Sequence, residues 1–331
     1  MTLILNRKPV FTVILAVFCL LSIWYFTHGP GDAETTISIR FLTNTQNLRL
    51  RVSKSKHVCI KGQRIFQEQW LHAQLKQFIR VYDARPVPSN VFGTRVMHQF
   101  ALWCFIRRLQ PKYIIESGIF QGLGTWILRQ AAPTARLILM DPDGRSLIYR
   151  DQMYDTVYLT ADKFVDFQHV NWTTLVEPEN TLVFIDDHQN PVRRVLEAKR
   201  HGFKHMMFDD NYWLEQGDVT SLKLSCLMTL GAMTIEDMLY KDWVKNSFVQ
   251  REMTSDDLQQ ITDVFTNVIE NYYEFPMIWN ATRTVNTNDD NANFLFNDNN
   301  GTAVLRELGL VNLPPSNEIE EYYNIAYVKL K

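Results

Sequence analysis

Carboxylates and glycines stand in this chain at spacings that a ligand site requires. The run Glu116-Ser117-Gly118-Ile119-Phe120-Gln121-Gly122 is followed directly by Leu123-Gly124-Thr125. A ligand can approach backbone N–H groups only where no Cβ intervenes, and glycine permits the turn that exposes them. Asp141, in Met140-Asp141-Pro142-Asp143, lies about 20 residues further on, where α/β folds hydrogen-bond ribose hydroxyls. Two further acidic groups follow, Phe184-Ile185-Asp186-Asp187-His188 and Phe208-Asp209-Asp210-Asn211. Several acids in one crevice repel each other unless a cation or a proton compensates them. Oxygen ligands alone suit Mg2+, Ca2+ or Mn2+ better than zinc. His188 has the unperturbed proton affinity of a general base near neutrality.

These residues need a scaffold that brings them to one place. Tyr113–Ile115, Leu137–Met140, Thr156–Leu159, Thr181–Ile185 and Lys204–Phe208 are short apolar runs and are predicted strands. Helical spacing alternates with them, at Thr125–Ala132 and Val192–Arg200. Continuous apolar strands alternating with helices predict a parallel sheet covered on both faces. In such a sheet the carboxyl ends of the strands form the ligand crevice, and each acidic group above ends a strand. Ile65–Tyr82 and Thr94–Leu109 read as two helices covering the sheet. Residues 220–275 read as mostly helical, with Thr254-Ser255-Asp256-Asp257 opening the last long helix. The Asn-rich stretch 282–301 reads as a mobile loop, and Tyr322–Leu330 as a final strand.

Ile115-Glu116-Ser117-Gly118 through Gly122 resembles the first motif of class I S-adenosylmethionine (SAM) methyltransferases. The resemblance covers about residues 93–215. It implies a Rossmann-like α/β methyltransferase fold, with a mainly parallel sheet and helices on both faces. It implies that Glu116, Gly118, Gly122 and Thr125 hold the cofactor, that Asp141 binds its ribose, and that Asp166 lies near its adenine. The acidic strand ends look closest to metal-dependent O-methyltransferases of the cephalosporin-hydroxylase and rhamnosyl O-methyltransferase type. That likeness implies metal ligands at Asp186 or Asp187, Asp209 and Asp210, Mg2+ or a similar ion as cofactor, and catalytic roles for Asp186 and His188. The chain departs from the pattern in its doubled Asp186-Asp187, in His201-Gly202-Phe203 before the fifth strand, and in having no lysine just after Asp186. The spacing also differs from the pyrophosphate fingerprint of NAD or FAD sites.

The chain has 331 residues, 46% hydrophobic and 21% charged, with net charge −2. Such a chain builds a large core and offers no broad basic field for nucleic acid. Arg7 and Lys8 precede an uncharged run of about 17 residues, Val10–Phe26, near the lower limit for a membrane span. The expected organisation is a cytoplasmic tail (1–9), a signal-anchor transmembrane helix (10–27), a stem (28–60) and a lumenal methyltransferase-like domain (61–331). A secreted protein with a cleaved signal is the alternative. Positive charge on the short side keeps that side cytosolic, which directs the domain to the Golgi or endoplasmic reticulum lumen. Asn171-Trp172-Thr173, Asn280-Ala281-Thr282 and Asn300-Gly301-Thr302 are glycosylation sequons. A Cys59–Cys226 bridge is possible, while Cys104 sits in an apolar run as a packed thiol. The expected activity is O-methylation of a hydroxyl, on a glycan or small molecule. A non-catalytic binding protein of the secretory pathway, or a hydroxylase or glycosyltransferase on the same scaffold, are the alternatives.

Overall fold

The computed structural model describes residues 65–213, 217–244, 247–281, 294–321 and 325–331. The expected tail, membrane span and stem lie outside these residues. No helix among the described residues is long and apolar enough to cross a membrane. Nine strands are described: β1 (Tyr113–Ser117), β2 (Arg136–Asp141), β3 (Val157–Thr160), β4 (Thr181–Ile185), β5 (His205–Phe208), β6 (Leu239–Val244), β7 (Ser247–Glu252), β8 (Ile269–Glu274) and β9 (Ala326–Leu330). Seven of them form one sheet in the order β3-β2-β1-β4-β5-β9-β8, and β6 pairs with β7 as a separate hairpin. The first five run parallel, and β9 lies antiparallel to both of its neighbours. The order reverses beside β1, which makes the crevice between β1 and β4 the switch point of a Rossmann-like α/β fold.

Period-two alternation sorts the strand residues between two cores. Ile114, Leu137, Leu139, Leu182, Phe184 and Met207 face one core. Helices α1 (Glu68–Asp83), α2 (Val96–Leu109) and α3 (Leu123–Ala131) cover it. Ile115, Ile138, Met140, Val183, Ile185 and Met206 face the other, under α4 (Pro191–Arg200), α5 (Leu222–Thr229) and α6 (Ser255–Asp263). A sheet buried on both sides explains why its strands read as unbroken apolar runs. Cys104 is free and fully buried in the first core, as its apolar surroundings suggested. Cys226 is disulfide-bonded.

Three expectations are revised. The stretch 220–275 is not mostly helical: it holds the β6–β7 hairpin and β8 as well as α5 and α6. In the Asn-rich stretch Leu295 is buried and the Asn300 side chain caps α7 (Gly301–Glu307), while residues 282–293 lie outside the described residues. The final strand begins at Ala326. The start of α6 agrees with its sequence. Thr254 and Asp257 form a reciprocal capping box, each side chain accepting from the other's backbone N–H at 3.2 and 2.8 Å. Removing the hydroxyl leaves an orphan donor, so Thr254→Ala is expected to lower stability by about 1 kcal/mol, read as a shift of the urea midpoint with no change of slope.

No helix forms between β2 and β3, and residues 142–156 cross the edge of the sheet irregularly. Arg129 on α3 pins this segment with two bonds to the buried Asp151, at 3.0 and 2.8 Å. Ile148 and Tyr149 both donate their backbone N–H to Gln121 O. The segment therefore lies against the glycine loop.

Candidate active site

The parallel register carries the predicted residues to one level. Ser117 stands beside Met140 on one side and Ile185 on the other, and Ile185 beside Phe208. One step further, Gly118, Asp141, Asp186 and Asp209 occupy a common rim. Backbone bonds extend the ladder there: Gly118 N to Met140 O at 2.9 Å, Asp186 N to Ser117 O at 2.7 Å and Asp209 N to Ile185 O at 3.0 Å. Gly118 has φ +93°, and a Cβ there would stand 2.0 Å from Asp186 O. Gly122, at φ +89°, is equally confined, by Tyr149 O at 2.4 Å from an added Cβ.

Asp141 clasps the glycine loop. Its Oδ2 accepts from Ile119 N (2.9 Å) and Phe120 N (3.0 Å), and its Oδ1 from Asp143 N (2.7 Å). Glu116 is fully buried, and its Oε2 accepts the Thr125 hydroxyl at 2.5 Å. Burial pushes the Glu116 carboxyl up to about 8, a rise that the Thr125 bond opposes and neighbouring Asp141 adds to. Asp186 is pushed well above the usual carboxylate range, first by burial and then by Asp209, Asp210, Glu116 and Asp187. Burial also raises Asp210, to about 6, against the pull of His188.

Asp186, His188 and Asp210 each offer a ligand atom within 4.8 Å of the others. His188 Nδ1 lies 3.3 Å from Asp210 Oδ2 and 3.1 Å from Asp218 Oδ1. The Asp218 bond, with Asp210 beside it, lifts the imidazole to about 10. About half of that side chain (49%) faces solvent, and screening trims the effect. In this state His188 holds a proton at neutral pH rather than accepting one.

The remaining predicted residues are engaged elsewhere. Asp187 accepts from Ser117 Oγ (2.7 Å) and from Arg194 Nε (3.0 Å). Asp166 takes two bonds from the same guanidinium, at 3.0 and 2.9 Å, and Glu197 takes a third contact at 2.8 Å. Arg194 thus gathers Asp166, Asp187 and Glu197 into a buried ionic group behind the rim. Asp209 Oδ1 stands 2.8 Å from His98 Nδ1 on α2, both nearly out of solvent. Asn211 is fixed by the Tyr272 hydroxyl at 2.9 Å and Lys223 N at 2.8 Å. His98, Arg194, Asp218 and Trp243 were not singled out from sequence. Arg194 carried a faint signal as the inner arginine of an Arg193-Arg194 pair on an amphipathic helix, and His98 carried none.

No family model and no curated protein matches the chain. It is similar to solved structures: a Klebsiella pneumoniae protein provisionally assigned as an O-methyltransferase (11% identity, TM-score 0.39, covering 81% of this chain and 92% of that one); a Bacillus cereus O-methyltransferase with SAH (14%, 0.34, 66% and 89%); and an SAH-bound Podospora anserina methyltransferase (14%, 0.31, 66% and 100%).

Proposed function

We propose that this chain is a SAM-dependent O-methyltransferase with a divalent cation at its acceptor side. The observation that carries the reading is the rim itself. A glycine bend and buried, electrostatically strained acids meet at the switch point of the sheet. Glu116, Asp186 and Asp210 all hold their protons more tightly than ordinary carboxyls do. Such a rim repels a pyrophosphate and attracts a ligand with positive charge. SAM carries two, on its sulfonium and its ammonium, and supplies an electrophilic methyl group. Glu116, Gly118, Gly122 and Asp141 would hold it, with Thr125 acting through Glu116.

The donor set also fits a cation. Asp210 is buried beside His188 and the Tyr212 hydroxyl, and with Asp186 and His188 it forms a group of two carboxylates and one imidazole. That nitrogen shifts the preference from Mg2+ or Ca2+ toward Mn2+, Fe2+, Co2+ or Zn2+. A bound cation would acidify and orient an acceptor hydroxyl. The protein's part is to hold that hydroxyl in line with the methyl group.

Calorimetry on the full chain tests the reading. SAM is expected to bind on the order of tenfold more tightly than SAH, a difference of about 1.4 kcal/mol from the sulfonium charge. Protons should be released on binding, because a cation beside raised carboxyls lowers their affinity for protons. No binding heat from a folded protein sinks the proposal. Asp186→Asn is expected to stabilise the ligand-free protein at neutral pH, since it removes a crowded acid, and to cost about 10–100-fold in cation affinity. A variant that binds Mn2+ as well as the parent excludes Asp186 from the cation site.

The acceptor is read as a hydroxyl on a glycan or small molecule in the Golgi or endoplasmic reticulum lumen. Exposed sequon asparagines at 171 and 300 support a lumenal domain. So does the disulfide at Cys226, which persists in oxidising compartments.

A further inference from the structure

Asp218 connects the candidate site to an element outside the sheet. It precedes α5 and uses both carboxylate oxygens. Oδ1 faces His188 Nδ1 at 3.1 Å, and Oδ2 accepts the Trp243 indole N–H at 2.7 Å. Trp243 lies on β6 of the hairpin, whose position is set independently. The neighbouring Asp242, buried to 1%, accepts from Asn190 N at 2.9 Å and from Arg193 Nη2 at 3.2 Å. Asn190 caps α4, so the hairpin grips the loop between β4 and α4 at its far end. Within that loop His188 adopts φ +53°, a left-handed conformation that a residue without glycine's freedom holds only when its surroundings impose it. The hairpin, Asp218 and the strained loop are thus one assembly, and the side chain it fixes is His188.

We infer that Asp218 is a positioning residue, anchored by Trp243, which holds the Nδ1–H of His188 and so presents the other ring nitrogen, Nε2, to a divalent cation shared with Asp186 and Asp210. The inference rests on the cation reading above. Metal-binding histidines generally donate their second ring N–H to a carboxylate or carbonyl, which fixes the tautomer and ring orientation. Asp218 has the geometry for that duty, whereas Asp210 Oδ2, at 3.3 Å from the same nitrogen, is the weaker partner and remains available to the cation. With a cation bound, Nε2 would have given its proton to solvent, while the Nδ1 proton would stay on the ring, donated to Asp218. The hairpin lies outside the seven-stranded sheet, so this chain would set its cation affinity from an element that the core fold does not require.

The probe is Mn2+ alone, titrated into the purified full chain. Affinity is followed by electron paramagnetic resonance, and imidazole ligation by the nitrogen modulation of the pulsed spectrum. The parent should show nitrogen modulation that disappears in His188→Gln. Asp218→Asn should weaken Mn2+ by about 10–100-fold and reduce the modulation, while the metal-free melting temperature falls with the lost His188 pairing and the SAM affinity stays at the parental value. Trp243→Phe keeps the ring and removes only the donor, and should weaken Mn2+ several-fold. It keeps the test alive should Asp218→Asn fail to fold, and Asp218→Glu should recover part of the loss. Parental affinity and modulation in both Asp218→Asn and Trp243→Phe overturn the inference while leaving the cation site standing. Failure of the parent to bind Mn2+ overturns the inference together with the cation reading, and SAM binding then decides separately whether the methyltransferase reading survives.

Discussion

Replacing Gly118 by alanine is expected to abolish measurable SAM binding and to remove on the order of 4 kcal/mol of stability. Two separate costs act. The backbone at φ +93° charges any L-residue about 1–2 kcal/mol. The added methyl also lands 2.0 Å from Asp186 O and 2.5 Å from its carbonyl carbon, and neither is a side chain that can swing aside. Relief requires β1 and β4 to part at their carboxyl ends, which breaks the 2.7 Å bond from Asp186 N to Ser117 O and displaces the acid it carries. Gly231→Ala is the control. Its φ is +62° but nothing lies within 4 Å of an added Cβ, so only the conformational cost of about 1 kcal/mol should appear. Thermal unfolding and calorimetry with SAM measure both. Equal losses at the two positions would show that the close approach of β1 and β4 is immaterial.

Glu116→Gln is expected to make the protein more stable in alkali, by roughly 3–5 kcal/mol at pH 9, with little change at pH 4. The sign follows from linkage. In the folded protein the carboxyl binds its proton up to about 8, against an ordinary value of 4.5. The folded state therefore holds the extra proton, and stability is greatest below about 4.5. It falls as pH rises toward 8 and is level beyond. The interval of 8 − 4.5, at 1.36 kcal/mol per unit, gives roughly 5 kcal/mol as an upper figure. Glutamine has no charge to desolvate and can still accept the Thr125 hydroxyl. The other groups that act on Glu116 are Asp141 and Asp186, both acidic, so neither offers a compensating cation. Urea midpoints at pH 4, 7 and 9 check the expectation, and parallel pH profiles for parent and variant would falsify it. SAM affinity should fall in the same variant, an exchange of binding for stability that is common where a site is built under strain.

The rim was legible because its signals are local. Glycine before a helix, an acid at the end of an apolar run, and strands bounded by turns can each be read over a few residues. Pairings across long separations could not be read. Nothing near Asp166 and Asp187 announces that one guanidinium, on α4, will claim both. Asp209 meets a histidine more than a hundred positions earlier, set in a helix whose apolar face makes it look like packing. Over so short a run Leu239, Trp243 and Val244 suit either period, so the β6–β7 hairpin is not distinguished from helix by sequence alone. Pairing settles the matter: Tyr240 stands opposite Arg251 and Trp243 opposite Phe248. Asp218 acquires its meaning only once that hairpin has formed.

The antiparallel β9 has a consequence for folding. Residues 326–330 are more than a hundred positions beyond β5 in the chain, yet they lie between β5 and β8 inside the sheet. Until they dock, β5 presents an open edge and β8 lacks its neighbour in the sheet. The five parallel strands can pair before that, but the sheet closes only when β9 docks. Loss of β9 would deprive the sheet of an interior member and leave two sticky edges exposed to other chains.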